Sequence, residues 1–255
     1  MNIQPGTKAY LEAISYKYQV ENKATIIRMD QVLGIHYPQL LVQPWPRQFS
    51  YKLEFFTGNN SPSQVKNEIL KFLREEPEEH VINVISDNLT QLIPAYKAHG
   101  YLHAWSNIIM SRKLSINEKF SNPSDVEIKV IKSIQDVSLV NSIEPDYPCS
   151  TNGLDDPAIL NLMVFYKGDI CAKSQMMLLE KKFVYIADIF THPDYRRRGI
   201  STALMREMQK IALQEGKTIS ILVPSKMTRE FDLFKKLSYQ PLIEFALLVP
   251  EAKIT

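Results

Sequence analysis

Strand-like and helix-like patterns of apolar residues alternate along the chain, and the clearest pair lies in its second half. Phe183–Phe190 is an apolar run of aromatic and β-branched residues, which predicts a buried strand. From Ile200 to Glu215 apolar residues recur at helical spacing, and Gly216 suits the end of a helix. Turn-forming and basic residues lie between them, so this stretch predicts a strand, a tight turn and a helix.

The other predicted elements alternate in the same way, which predicts an α/β (α+β) fold with helices covering a sheet. Lys167-Gly168-Asp169 has the composition of a hairpin turn. For residues 21–46 the pattern allows either a short helix or an extended segment, which is followed by a stretch interrupted by prolines. The other predicted helices are 7–20, 62–75, 133–142 and 226–237, and the other predicted strands are 51–57, 80–85, 126–132, 160–166, 170–179, 218–223 and 242–249.

An earlier part of the chain resembles the second half element by element. Tyr51–Thr57 matches Tyr185–Thr191, and each is followed by a polar turn and a helix. Further on, the predicted strand His80–Ile85 matches Thr218–Val223, and Ala95–Tyr101 aligns without a gap with Leu233–Tyr239. Four shared elements in the same order indicate an internal duplication.

The length of the chain agrees with two copies of one unit. A chain of 255 residues is long enough for two modest domains. The polar connector between residues 114 and 124 is rich in serine and asparagine, which is typical of a domain boundary. We therefore predict one domain over residues 1–115 and a second over residues 125–255.

Composition narrows the class of protein. An apolar content of 45% and a charged content of 23% are ordinary for a soluble globular protein, and a net charge of +2 argues against a general nucleic-acid surface. There is no long apolar run and no signal peptide, so we expect no membrane partner and a cytoplasmic location. The two cysteines, Cys149 and Cys171, give no disulfide framework, and the five scattered histidines give no metal-ligand constellation.

One dense basic cluster, Arg196–Arg198, stands directly before Gly199 and the predicted helix. Backbone N–H groups at a helix N-terminus point at an anion, and the helix dipole favours negative charge there. A glycine allows the backbone to approach the anion closely, and arginines add charge-assisted hydrogen bonds to phosphate oxygens. The stretch therefore predicts a phosphate cradle for one small anionic ligand.

This stretch resembles the GCN5-related N-acetyltransferases. Their mark is a strand, a Val-x-Pro-type turn and the motif (Arg/Gln)-x-x-Gly-x-(Gly/Ala) at the start of a helix. The chain reads Thr191-His192-Pro193-Asp194-Tyr195, then Arg196-Arg197-Arg198-Gly199-Ile200-Ser201, and it departs from the pattern at Ser201. The resemblance implies an acetyltransferase-like mixed β-sheet flanked by helices, here in two tandem copies.

The resemblance also implies acetyl-CoA or coenzyme A as the cofactor. Backbone groups at the end of the central strand would hold the pantetheine where two strands splay apart. Backbone N–H groups of residues 197–202 would hold the pyrophosphate, and an amine would attack the thioester directly. The implied cofactor-binding residues are Ile189, Phe190, Thr191, Arg196, Arg197, Arg198, Gly199, Ile200, Ser201, Thr202 and Phe234.

Direct attack requires that the amine first lose a proton, so a carboxylate is expected near the reaction. Asp188 on the central strand is the first candidate, although it can also be a structural aspartate that pairs with the backbone or an arginine. Glu144 in the polar loop is the second candidate. The family usually has a tyrosine in the last helix to protonate the departing thiolate, where this chain has Phe234, and Met227 replaces an asparagine that often begins that helix.

The first copy has lost the cradle, because Gly58–Ser63 stands where the second copy has Arg196–Ser201. We therefore predict that the first copy is degenerate and does not bind coenzyme A. Two hypotheses of function stay open: an acyl-CoA-dependent N-acetyltransferase acting on a small-molecule or peptide amine, and a non-catalytic coenzyme A-binding or scaffold protein. We expect a monomer or a homodimer, since the internal copy can replace a dimer partner.

Overall fold

The computed structural model describes residues 4–43, 49–75, 79–116, 123–179, 181–224 and 229–251. The first half of the chain forms α1 (Pro5–Asn22), β1 (Thr25–Arg28), β2 (Val32–Gln43), β3 (Phe49–Thr57), α2 (Pro62–Glu75), β4 (His80–Ser86), α3 (Leu89–Lys97) and β5 (Tyr101–Lys113). The second half forms β6 (Val126–Val130), α4 (Ile134–Asn141), β7 (Ile159–Tyr166), β8 (Asp169–Leu178), β9 (Phe183–Thr191), a 3₁₀ turn (Pro193–Tyr195), α5 (Ile200–Gln214), β10 (Ile219–Leu222), α6 (Arg229–Lys236) and β11 (Gln240–Pro250).

Within the described residues, all the strands join one sheet of eleven strands in the order β1-β2-β3-β4-β11-β5-β10-β9-β8-β7-β6. The pairs β3·β4 and β9·β10 are parallel, and the other neighbours are antiparallel. Each parallel pair is joined by one helix, α2 or α5, as a crossover between parallel strands requires. The sheet is therefore mixed and is built from two similar sets of elements.

The two halves are interlocked through their last strands. β11, from the second half, lies between β4 and β5 of the first half, with Leu247 opposite Asn83 on one side and Trp105 on the other. In return, β5 pairs with β10 of the second half, with Ser111 opposite Ile221. Strand β11 of the second half thus pairs with edges of the first half, and β5 of the first half pairs with the edge of β10.

Helix α1 packs across the junction of the two halves. The ring of Tyr10 lies 5.5 Å from that of Tyr185 in β9 and 5.9 Å from that of Phe245 in β11. The neighbouring β9 residues Val184 and Ile186 pack instead in the core beneath α5. Successive side chains of a strand point to opposite faces, so α1 and α5 lie on opposite faces of β9.

Most predicted elements lie within two residues of the observed ones, and the described part of residues 21–46 contains the end of α1 and strands β1 and β2. The hairpin turn after β7 is confirmed, with both Lys167 and Gly168 at positive φ. Strand β11 pairs only with strands of the first half, which its sequence does not indicate. Among the described residues, no helix combines the length and apolar composition needed to cross a membrane.

Candidate active site

Strand β9 separates from β10 before it ends. Its pairing with β10 stops at Ile186 opposite Leu222, whereas β9 continues to Thr191. Within the described ranges, the backbone of residues 187–191 therefore has no paired strand on the β10 side and forms an open edge there. Such an edge can pair with an extended ligand as an added strand would, and the predicted pantetheine-binding residues Ile189, Phe190 and Thr191 all lie on it.

A β-bulge shapes this open segment. Ala187 lies opposite Gln175 and Phe190 opposite Lys173, so two residues of β9 face the single residue Ser174 of β8. Asp188, the first of the two, has φ 51°, in the left-handed region that aspartate enters more readily than most residues. The bulge bends β9 and leaves the Asp188 side chain about half exposed in a cleft.

The turn after β9 presents the start of α5 toward the same open edge. Gly199 is the N-cap residue with φ 78°, and the first hydrogen bond of the helix runs from Ala203 N–H to Gly199 O at 2.9 Å. The N–H groups of Ile200, Ser201 and Thr202 precede that bond and so have no acceptor within the helix. This geometry can cradle an anion at the residues where the sequence predicts one.

Two of the three arginines are held by the turn itself. Arg196 Nε donates to Thr191 O at 3.0 Å, and Arg198 Nη2 donates to Asp194 O at 3.2 Å. The Arg198 guanidinium also lies over the rings of Tyr166 and Tyr195, 5.2 and 5.5 Å from their centres. Each guanidinium keeps further N–H donors, so both charges stay beside the helix start with donors available.

Ser201, the departure from the family motif, ties the helix to the strand. Its Oγ lies 2.8 Å from Thr191 Oγ1, so the hydroxyl bridges the end of β9 and the first turn of α5. The serine therefore has a local structural partner where the family motif has glycine or alanine.

The matching turn of the first copy is filled by its own side chains. Asn60 Nδ2 donates to Gln31 O at 3.1 Å and to Thr57 Oγ1 at 2.9 Å, and Asn59 accepts a hydrogen bond from Ser86 Oγ. Pro62 occupies the first position of α2 and removes one of the N–H donors there. This turn lacks both the arginines and part of the donor set of the second copy.

Helix α1 places two charged residues beside Asp188. Lys17 Nζ donates to Asp188 Oδ2 and lies 3.8 Å from Glu21 Oε2. Burial opposes the charge of Lys17, but the carboxylates of Asp188 and Glu21 leave the pKa of Lys17 above its ordinary value. The first half of the chain thus contributes one wall of the cleft that holds Asp188.

Glu21 is a carboxylate that sequence reasoning missed. Its side chain is 10% exposed, and it accepts a hydrogen bond from Gln175 Nε2. Burial raises the pKa of Glu21, which makes it a better proton acceptor than an ordinary carboxylate. The only sequence signal was the four-residue spacing of Lys17 and Glu21 on one helix face, and nothing linked that helix to a strand 171 residues away.

Glu144, the second predicted carboxylate, follows α4 and is half-buried. Its charge acts on Lys173 of β8, as does that of Asp188, so the two predicted residues share one neighbourhood. Cys149 also lines this cleft, and burial raises the pKa of its thiol to about 11, which argues against a nucleophilic thiolate.

Phe234, which the resemblance assigns to cofactor binding, lies in the hydrophobic core of the second half. Phe234 is 4% exposed and packs in the core, its ring centre 6.0 Å from that of Tyr239. The Tyr239 hydroxyl lies 2.6 Å from Ser220 Oγ in the same core. Met227, which replaces the asparagine of the family, lies outside the described residues.

Comparison with known proteins gives a family match over part of the chain and similar folds over most of it. Residues 135–239 match the model of the acetyltransferase (GNAT) family, and no curated protein matches the chain. A GCN5-related N-acetyltransferase from Kribbella flavida is similar in structure, with a TM-score of 0.67 and 14% identity over 96% of this chain and 95% of the other. One from Sphaerobacter thermophilus has a TM-score of 0.62 and 13% identity over 93% and 84% of the two chains.

A tandem GNAT protein from the clavulanic acid biosynthesis pathway shares the arrangement in two copies. Its TM-score is 0.57, with 6% identity over 88% of this chain and 84% of the other. These likenesses confirm the predicted fold, an acetyltransferase-like mixed sheet flanked by helices in two tandem copies. The second half of the chain contains a GNAT-family domain.

Proposed function

We propose that this protein, whose residues 135–239 match the GNAT family, is an acetyl-CoA-dependent N-acetyltransferase acting on an amine. The observation that carries the proposal is the continuity between the open edge of β9 and the cradle at Gly199. An extended chain that ends in a pyrophosphate fits this pair of features. Acetyl-CoA, when bound, supplies the thioester from which the acetyl group is transferred.

Different residues of the second half would bind different parts of acetyl-CoA. Backbone groups of Ile189–Thr191 on the open edge would pair with the amides of the pantetheine. N–H groups of residues 197–202 would hold the pyrophosphate, with Arg196 and Arg198 adding positive charge beside it. Phe234 would act indirectly, through the core that supports the end of the cleft.

The carboxylates of the cleft would accept the proton that the substrate amine loses. The amine nitrogen forms its bond to the acetyl carbon as the carbon–sulfur bond breaks, and the amine gives up a proton. Asp188 and Glu21 would accept it, with Lys17 holding the Asp188 carboxylate in place. Glu144 is a further acceptor at the rim, and water would return a proton to the thiolate, whose ordinary pKa near ~8.5 makes it a tolerable leaving group.

The first half would then serve as a wall and not as a second enzyme. We propose a division into residues 1–115, a degenerate copy, and residues 125–255, the working copy. The support is the filled turn at Asn59 and Asn60 and the position of α1 over the cleft. One bound acetyl-CoA per chain follows from this division.

Calorimetric titration with acetyl-CoA and a turnover assay with a panel of amines test the proposal together. We expect one site per chain and release of coenzyme A above the rate of hydrolysis. Asp188→Asn and Glu21→Gln should each lower turnover roughly 10²–10⁴-fold while acetyl-CoA affinity stays the same. Glu12→Gln, on the exposed face of α1, is the matched control and should behave as wild type.

Two outcomes would contradict the proposal in different ways. Two sites per chain would show that the first copy also binds the cofactor. Binding of acetyl-CoA without turnover of any amine would favour a coenzyme A-binding protein that does not catalyse.

A further inference from the structure

Lys173 is a buried cation within the proposed acceptor cleft. It lies in the middle of β8 and is 4% exposed, and its Nζ donates to the backbone oxygen of Tyr147. Within the described ranges its ammonium forms no ion pair, whereas Lys17 in the same cleft is paired with Asp188. The carboxylates of Asp188 and Glu144 act on this charge without touching it, and the hydrogen bond to Tyr147 leaves two of the three ammonium N–H donors for a ligand.

Two residues further along the strand, Gln175 offers a hydrogen-bond acceptor, whereas Lys173 offers donors. Its Nε2 donates to Asn161 Oδ1 at 2.9 Å and to a carboxylate oxygen of Glu21. Both of those partners are acceptors, which places the amide oxygen on the other side. That oxygen is buried and has no hydrogen-bond partner among the residues described, so it is suited to receive an N–H group.

The two groups lie on one face of the strand. Side chains at positions i and i+2 of a strand point the same way, with about 7 Å between their Cα atoms. Lys173 and Gln175 both line the cleft, together with Asp188 and Glu21. A ligand with one anionic end and one N–H end, a few bonds apart, would satisfy both groups at once.

We propose that the acceptor is an amino acid, a small amine that carries a carboxylate a few bonds from the nitrogen. The carboxylate would pair with Lys173, and the amine would meet the Gln175 amide oxygen and the carboxylates of Asp188 and Glu21. This inference rests on the proposed acetyl transfer and narrows its acceptor.

Matched substrates test the inference. Each of several amino acids is compared with the amine that remains after loss of its carboxylate and with its carboxamide. For the wild type we expect kcat/KM to be roughly 10–100-fold higher for the amino acid, the contribution of one charged hydrogen bond. Lys173→Met keeps the length of the side chain and removes the charge, so it should abolish that preference while the simple amines are still acetylated.

A control variant and a separate binding assay complete the test. Lys182→Met removes an exposed lysine and should leave the preference unchanged. Thermal shift without acetyl-CoA reports amino-acid binding apart from turnover, and we expect stabilisation of the wild type but not of Lys173→Met.

The possible failures are distinct. Equal turnover of amines with and without a carboxylate, unchanged by Lys173→Met, would overturn this inference and leave acetyl transfer standing. No acetyl-CoA binding and no turnover with any amine would overturn the proposed function, and the amino-acid preference with it.

Discussion

The two glycines at the ends of α5 allow a controlled test of the cradle. Gly199 precedes the helix with φ 78°, and Gly216 follows it with φ 70°. A Cβ added at either position meets no atom within 4 Å. Gly199→Ala and Gly216→Ala therefore impose the same backbone change at opposite ends of one helix, and only Gly199 lies at the proposed pyrophosphate.

The expected magnitudes differ between stability and binding. A non-glycine residue in the left-handed region costs about 1–2 kcal/mol, and neither site adds a clash, so both variants should lose a similar few degrees in Tm. At Gly199 the new methyl group also separates the backbone from the phosphate. Loss of one charged hydrogen bond, about 1.5–3 kcal/mol, corresponds to roughly 10–100-fold weaker binding.

Calorimetric titration of both variants with acetyl-CoA, beside thermal melts, separates the two effects. We expect the Kd of Gly199→Ala to rise by that factor and the Kd of Gly216→Ala to stay at the wild-type value. Equal affinities in two variants with equal Tm would refute the assignment of the pyrophosphate to the start of α5.

Three other substitutions probe single contacts. Lys17→Met should lower the free energy of unfolding by about 1–3 kcal/mol, less than for a fully buried pair because water reaches Asp188. Glu54 is buried in β3, where it accepts hydrogen bonds from Tyr37 and Asn83. Burial raises the pKa of Glu54, so the folded protein holds this proton more tightly than the unfolded chain does, and stability is lost as pH rises through the folded pKa. The stability of Glu54→Gln should therefore vary less with pH than that of the wild type in urea melts between pH 5 and 8. Ser201→Ala should cost about 0.5–1.5 kcal/mol through its lost bond to Thr191, with acetyl-CoA affinity within threefold of wild type.

Each of these has its own control. Lys8→Met breaks an exposed pair with Glu12 on the same helix and should cost less than about 1 kcal/mol; an equal cost at Lys17 would mean that the cleft pair adds nothing. Stability of Glu54→Gln that falls with pH as steeply as the wild type would show that this carboxyl is not the source. A loss of affinity above tenfold in Ser201→Ala would place the hydroxyl on the phosphate.

The sequence predicts the local parts of the site well. The strand, turn and helix from Phe183 to Gln214 are set by neighbouring residues, so an apolar run, a proline and a glycine were enough to find them. The duplication was visible too, because corresponding strands and helices keep their order. Long-range pairing was not visible, since β11 is equally apolar whichever strands it joins.

The charged part of the cleft depends on contacts between distant segments. Lys17 and Glu21 reach Asp188 only because α1 crosses β9, and no local pattern encodes that crossing. One signal was available at Lys173 and Gln175, because these polar residues interrupt a strand that is otherwise apolar and central. Polar residues buried in a central strand need partners, and asking for those partners would have pointed to the cleft.

The position of β11 has a consequence for synthesis of the chain. Strands β4 and β5 leave the ribosome well before the strand that lies between them, because β11 begins only at Gln240. At 5–20 residues per second, the edges of β4 and β5 stay unpaired for on the order of ten seconds. Exposed edges of this kind invite pairing with other chains, so the nascent first half is the stage at which aggregation competes with folding, and chaperone binding would matter most there.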